Sequence, residues 1–164
     1  MTIVASPFTG RVVPLERVAD DVFAEKMLGD GLAVHPTEPD VVAPVDGRIE
    51  KLFPGGHGIA LQTADGLQVL VHVGLETVRL KGEGFATHVA EGDDVTKGQR
   101  MVSVDLAFMR ERGIDMDSPV VVLSGESVSP LADGTVTAGD PLFEAGRARP
   151  DDEEPGPESV PAQR

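Results

Sequence analysis

A short unit of strand, turn and strand occurs twice in this chain, with matching residues at matching places. Pro7, Gly10, Arg11, Val12 and Leu15 correspond to Pro44, Gly47, Arg48, Ile49 and Leu52. A looser copy runs through residues 129–136. Val95-Thr96-Lys97-Gly98 is echoed by Val136-Thr137-Ala138-Gly139, and each is followed by an apolar strand. The spacing is about forty residues, with too few copies for a solenoid. Proline is tolerated only at strand starts, edges and turns, and glycine at bulges and tight approaches, so each unit reads as a turn with a strand on both sides. Nineteen glycines and thirteen prolines break up Val-rich runs along the chain, and Trp and Tyr are absent. This is the composition of many short strands and tight turns. It predicts an all-β fold: an antiparallel β-sandwich or barrel of pseudo-repeated units with one or two short helices.

Two stretches are helical candidates. In residues 16–30, Val18 and Val22 share one face, but Pro14 and Gly29 bracket about three turns at most. A helix, or a loop with a single helical turn, fits equally well. Residues 105–112 make a better helix, with Asp105 placed to cap it and Gly113 to end it. Residues 118–123 read as a strand. From about residue 147 the pattern collapses into RARPDDEEPGPESVPAQR. That segment has too little apolar surface to offset its ordering entropy. The expected organisation is one folded domain, 1–146, and a disordered acidic, proline-rich tail, 147–164.

The formal charge of −14 disfavours nucleic acid and anionic lipid as partners, and favours a basic protein. With no cysteine, a disulfide framework or thiolate chemistry is excluded. No signal peptide or bilayer-length apolar run is visible, so a cytoplasmic location without direct membrane insertion is expected.

Chemistry concentrates in GLQVLVHVGLETVRLKGEGF, residues 66–85. Residues 58–63 and 67–73 look like the arms of a hairpin, with Asp65-Gly66 as the turn signal between them. A two-residue turn places His72 opposite Ile59 and diagonal to His57. It also puts Ile59, Leu61 and Leu70 on the histidine face, and Val69, Val71 and Val73 in the core. A three-residue loop sends His57 to the opposite face, unless Gly55-Gly56 supplies a correcting bulge. At this level three readings stand: a polar residue satisfied in the core, a catalytic pair, or two ligands of a zinc ion that needs more. His35 and His88, at strand edges without ligand spacing, read as structural or exposed. Nucleophile-elbow, P-loop and dinucleotide signatures are missing.

Beyond this, VFAEKMLGDGLAVHPT, VVAPVDGRI and HVGLETVRLKGEGF, in that order and spacing, resemble the glucose-type enzyme IIA of the bacterial phosphoenolpyruvate:sugar phosphotransferase system. The resemblance covers roughly residues 3–145. It implies a phosphotransferase component that relays a phosphoryl group from phosphorylated HPr to the IIB domain of a sugar permease, with regulatory partners in addition. It implies that His72 carries the phosphoryl group and His57 stabilises it without carrying it. Phe23, Phe53, Leu70 and Val73 match an apolar docking rim, and Asp20, Asp21 and Glu76 surround it with negative charge. No cofactor is required, although in some members the two histidines bind zinc with a carboxylate from a partner. Gly55 departs from the pattern, since close relatives have threonine there. The membrane-binding N-terminal extension of enteric relatives and an attached IIB or IIC domain are not expected here.

Overall fold

The computed structural model describes residues 1–146; the expected tail, 147–164, lies outside the described residues. The strands are β1 (Thr2–Ala5), β2 (Gly10–Pro14), β3 (Gly31–Pro36), β4 (Asp40–Val42), β5 (Gly47–Leu52), β6 (Gly58–Gln62) and β7 (Gln68–His72). They continue as β8 (Phe85–Thr87), β9 (Asp94–Val95), β10 (Arg100–Val104), β11 (Ser118–Val122), β12 (Ser127–Pro130), β13 (Thr135–Val136) and β14 (Pro141–Gly146). An eight-stranded sheet has the order β13-β2-β3-β11-β7-β6-β5-β9, and two three-stranded sheets have the orders β1-β14-β12 and β4-β10-β8. The strand pairs are antiparallel throughout. The all-β expectation holds.

The repeated sequence units become a repeated pairing. The Ala5 N–H donates to the Pro44 carbonyl at 2.9 Å, and the Val42 N–H donates to the Pro7 carbonyl at 2.9 Å. Gly10 pairs with Val136 as Gly47 pairs with Val95. Read outward from the central β11–β7 pair, the large sheet presents equivalent strands on both sides, a pseudo-twofold arrangement. The shared glycine has a steric reason. A Cβ on Gly10 would lie 2.0 Å from the His35 carbonyl oxygen, and one on Gly47 2.5 Å from that of Gln62.

The main core lies between the large sheet and the two small ones. Ile49, Ile59, Leu61, Val69 and Val71 of the large sheet meet Val4, Val102, Leu142 and Phe143 there. Burying side chains of this size contributes roughly 1.5–3 kcal/mol each. A second apolar cluster, including Leu15, Val18, Phe23, Leu70 and Val121, forms on the other face of the large sheet. It exists because the segment after β2 folds back over that face.

Within that segment the looser helical reading is the one observed. A 3₁₀ turn at Leu15–Arg17 is followed by α1 (Asp21–Ala24), four residues long and capped by the Asp20 carboxylate accepting from the Val22 N–H. Val18 is buried, but Val22 is 41 % exposed rather than on a shared buried face. α2 (Leu106–Glu111) has the expected Asp105 cap, which accepts from the Phe108 N–H at 3.0 Å, and ends before Gly113 at φ +68°. Among the described residues no helix is long and apolar enough to cross a membrane.

The hairpin register corrects the two-residue expectation. β6 and β7 pair Gln62 with Gln68, Ile59 with Val71 and Gly58 with His72. The loop is therefore Ala64-Asp65-Gly66, with Gly66 at φ +96°, the form in which a left-handed glycine completes a three-residue turn. Thr63 decides the matter: its hydroxyl donates to Asp65 and accepts from the Leu67 N–H at 3.0 Å. In this register Ile59 and Leu61 leave the histidine face and enter the main core, fully buried opposite Val71 and Val69.

Candidate functional site

His72 is the last residue of β7, and its ring is held by one strong contact. Nδ1 lies 2.6 Å from the Gly74 carbonyl oxygen. A carbonyl only accepts, so Nδ1 carries the proton, and in the neutral ring Nε2 keeps its lone pair. The turn that delivers this carbonyl is fixed in several ways. Gly74 has φ +74°, and its N–H donates to the Ser118 hydroxyl at 3.0 Å. The Leu75 N–H donates to the Asp115 carbonyl, and the buried Thr77 hydroxyl donates to the Val73 carbonyl at 2.7 Å.

His57 reaches the same place by leaving the strand geometry. A 3₁₀ turn at Pro54–Gly56 precedes it, with Gly55 at φ +85° and Gly56 at φ +95°. His57 has φ −73° and ψ −17°, which is not extended, so strict alternation of faces does not apply to it. Its own carbonyl still accepts from the Val73 N–H at 2.7 Å. The ring turns towards His72, with centroids 5.6 Å apart and planes at 73°. The correction comes from two left-handed glycines and a helical histidine, not from a strand bulge. His57 Nδ1 donates to the Pro54 carbonyl at 3.1 Å, so its Nε2 is also the unprotonated nitrogen of the neutral ring. Gly58, opposite His72, leaves room for the Phe53 ring, which a Cβ there would approach to 2.8 Å.

Gly55 stands where the resemblance implies threonine, and its geometry suits glycine. A Cβ there would stand 2.3 Å from the Cα of Gly82, on a backbone that β-branched residues avoid. The two glycines bring the loop carrying His57 against residues 81–84. Gly55→Ala is expected to displace the Pro54 carbonyl and with it the His57 ring. Gly92→Ala, at φ +93° with open space around it, carries similar backbone strain without the clash. Imidazole NMR should show the His57 resonances moving in the first variant and staying put in the second; movement in both would make strain alone the cause.

The other expected site residues are placed unevenly. Phe23 is buried and its ring lies 5.2 Å from that of His72; the half-buried Phe53 lies 5.7 Å from that of His57. Asp20 caps α1 and is close enough to act on His72 electrostatically. Asp21 and Glu76 are exposed, and Glu76 faces Arg79 at 3.6 Å. Val73 is a correction. It is fully buried in the main core and offers no surface to a partner. Leu70, 7 % exposed, packs into the second cluster beneath the rim. Exposed apolar side chains close in sequence to site residues are Val22, beside Phe23, and Val78, in the 3₁₀ turn that follows Leu75, neither of them among the rim residues expected from the resemblance. His35 and His88 are elsewhere: His35 pairs with Asp117, and His88 contacts the Ser103 hydroxyl. Among the described residues no group of three or more His, Cys, Asp or Glu is arranged to hold a metal ion.

Burial lowers the pKa of His72 below the ordinary histidine value of 6.5. The Gly74 carbonyl and Asp20 oppose that shift, and His57 adds to it. The folded ring therefore takes its proton at lower pH than the unfolded one. As pH falls from 6.5 to the folded midpoint, the unfolded chain is protonated first and stability is lost; above 6.5 the contribution is fully present. Titration followed by NMR is expected to give a His72 midpoint below 6.5. A midpoint at or above that value would contradict the burial argument.

Fold and site together define an all-β sandwich with a pair of backbone-held imidazoles beside an apolar rim. The family described as the phosphoenolpyruvate-dependent sugar phosphotransferase system, EIIA 1, matches residues 2–128. A solved structure described as glucose permease IIA from Mycoplasma capricolum is 35% identical, with a TM-score of 0.83, covering 87% of this chain and 94% of that one. The chain belongs to the EIIA 1 family and is a phosphoryl carrier of sugar uptake, a phosphotransferase component.

Proposed function

We propose that His72 accepts the phosphoryl group on Nε2 from the phosphohistidine of HPr and passes it to a cysteine of a permease IIB domain in the cytoplasm. The observation that carries this is the 2.6 Å bond from Nδ1–H to the Gly74 carbonyl, which leaves Nε2 as the only free lone pair on the ring. In the first step that lone pair attacks phosphorus while the bond to the donor imidazole breaks. In the second, a thiolate attacks phosphorus and the bond to His72 Nε2 breaks. Transfers of this kind depend on positioning and charge stabilisation. His57 supplies both: its Nδ1–H is committed to Pro54, so it donates to phosphoryl oxygens by taking a proton on Nε2 and becoming cationic. The rings of Phe23 and Phe53 shield the labile phosphohistidine from water.

The partners dock on the apolar surface around Phe23 and Phe53, with the exposed Val22 next to Phe23 in sequence. Asp20, Asp21 and Glu76 attract a basic donor. The relay itself needs no cofactor. Two Nε2 atoms, each with Nδ1–H held by a carbonyl, also suit half of a tetrahedral zinc site, completed by a partner's carboxylate and a fourth ligand. Incubation with phosphoenolpyruvate, enzyme I and HPr, followed by intact mass, is expected to show one added phosphoryl group; no uptake overturns the proposal.

A further inference from the structure

On the far side of the loop that seats His72, a cleft of about 370 Å³ opens between the end of β3 and α2. Its volume suits a small molecule rather than a macromolecule. Leu106, Ile114 and Met116 give it apolar walls, Arg110 gives it a cationic donor, and His35 lines its edge. Arg48, Arg79, Arg100 and Arg112 each have a carboxylate partner. Arg110, like Arg11 and Arg17, has no ion-pair partner among the described residues, and of these three it alone lines the cleft. His35 is preset by Asp117, whose carboxylate accepts from Nδ1–H at 2.9 Å. That leaves Nε2 for a ligand. A guanidinium beside an apolar floor favours an anion with a small apolar body.

The floor is shared with the histidine site. The Met116 carbonyl accepts from the Ser118 hydroxyl, which in turn accepts from the Gly74 N–H. The Asp115 carbonyl accepts from the Leu75 N–H at 2.8 Å. We propose that this cleft binds a small organic anion, a carboxylate or a phosphate monoester, between Arg110 and His35, and that its occupancy reaches the Gly74 turn through residues 114–118. Binding is measured without any phosphoryl donor, so it stands or falls separately from the role of His72.

The test is amide NMR on the full chain, titrated with benzoate and with phenyl phosphate, and with benzyl alcohol as the neutral control. Saturable shifts are expected at Thr37, Arg110 and Met116 with at least one anion, accompanied by shifts at Gly74 and Leu75. The tighter of the two anions tells carboxylate from phosphate. Arg110→Ala is expected to weaken binding about tenfold or more. Arg112→Ala, whose side chain lies over Phe108 and faces Glu83, should leave it intact. Absence of saturation with both anions, equal shifts with benzyl alcohol, or unchanged binding in Arg110→Ala overturns the site. Shifts at Gly74 and Leu75 that are missing, or that persist in Arg110→Ala, overturn the communication.

Discussion

His72→Ala is expected to take up no phosphoryl group from phospho-HPr, measured by intact mass after incubation with the donor system. The reason is positional. His72 Nε2 combines a free lone pair, a ring fixed by Gly74, and a place beside a second imidazole. His57 is 6 % exposed, and its backbone is turned away from the strand. It is the alternative acceptor that the experiment must exclude. If His72→Ala gained the same mass as the unaltered chain, His57 or another group would be the carrier, and the assignment of roles would be reversed. Folding can be checked separately, because the substitution leaves the Ser118 and Thr77 contacts of the Gly74 turn in place.

The second large effect belongs to His57. His57→Ala is expected still to be phosphorylated at His72, while passing the group onward about 10²-fold more slowly, the size of effect seen when one preorganised donor to a developing charge is removed. The split follows from where charge builds up. Uptake, in the proposed relay, draws on a basic donor attracted by Asp20, Asp21 and Glu76. Release to a thiolate gathers negative charge on the phosphoryl oxygens, where a protonated His57 Nε2 stabilises it. Single-turnover transfer to a purified IIB domain reads the second step alone. Equal rates for variant and parent chain in that step would remove His57 from the mechanism, whatever happened to uptake.

What was legible in the sequence depended on where the information sat. The paired units at Pro7–Gly10 and Pro44–Gly47 disclosed the fold, because proline and glycine restrict the backbone locally and the restriction survives in the tertiary structure. The α2 helix was legible for the same reason, with Asp105 and Gly113 at its ends. The hairpin register was not, because Asp65-Gly66 suits a two-residue turn and also the loop that Thr63 enforces through its hydroxyl. His57 was expected near His72 by a diagonal that does not exist; the contact comes from the dihedral angles at Gly55, Gly56 and His57. The Gly74 carbonyl escaped notice altogether, since a backbone acceptor leaves no residue signature. Val73 was placed on the rim by the family resemblance, but the chain turns at Gly74 and leaves it in the core.

The bond from the Gly74 N–H to Ser118 also sets a schedule. Forty-odd residues separate the imidazole from the hydroxyl that steadies its turn, and β11, which carries that hydroxyl, pairs with both β3 and β7. Contacts this distant along the chain form late, after their loop-closure entropy has been met. During synthesis, β6 and β7 can meet as soon as both leave the ribosome, but the Ser118 hydroxyl that steadies the Gly74 turn follows only with β11. A nascent chain therefore carries His72 and its Gly74 carbonyl for some time before the hydroxyl that holds their turn in place arrives with one of the later strands of the sheet.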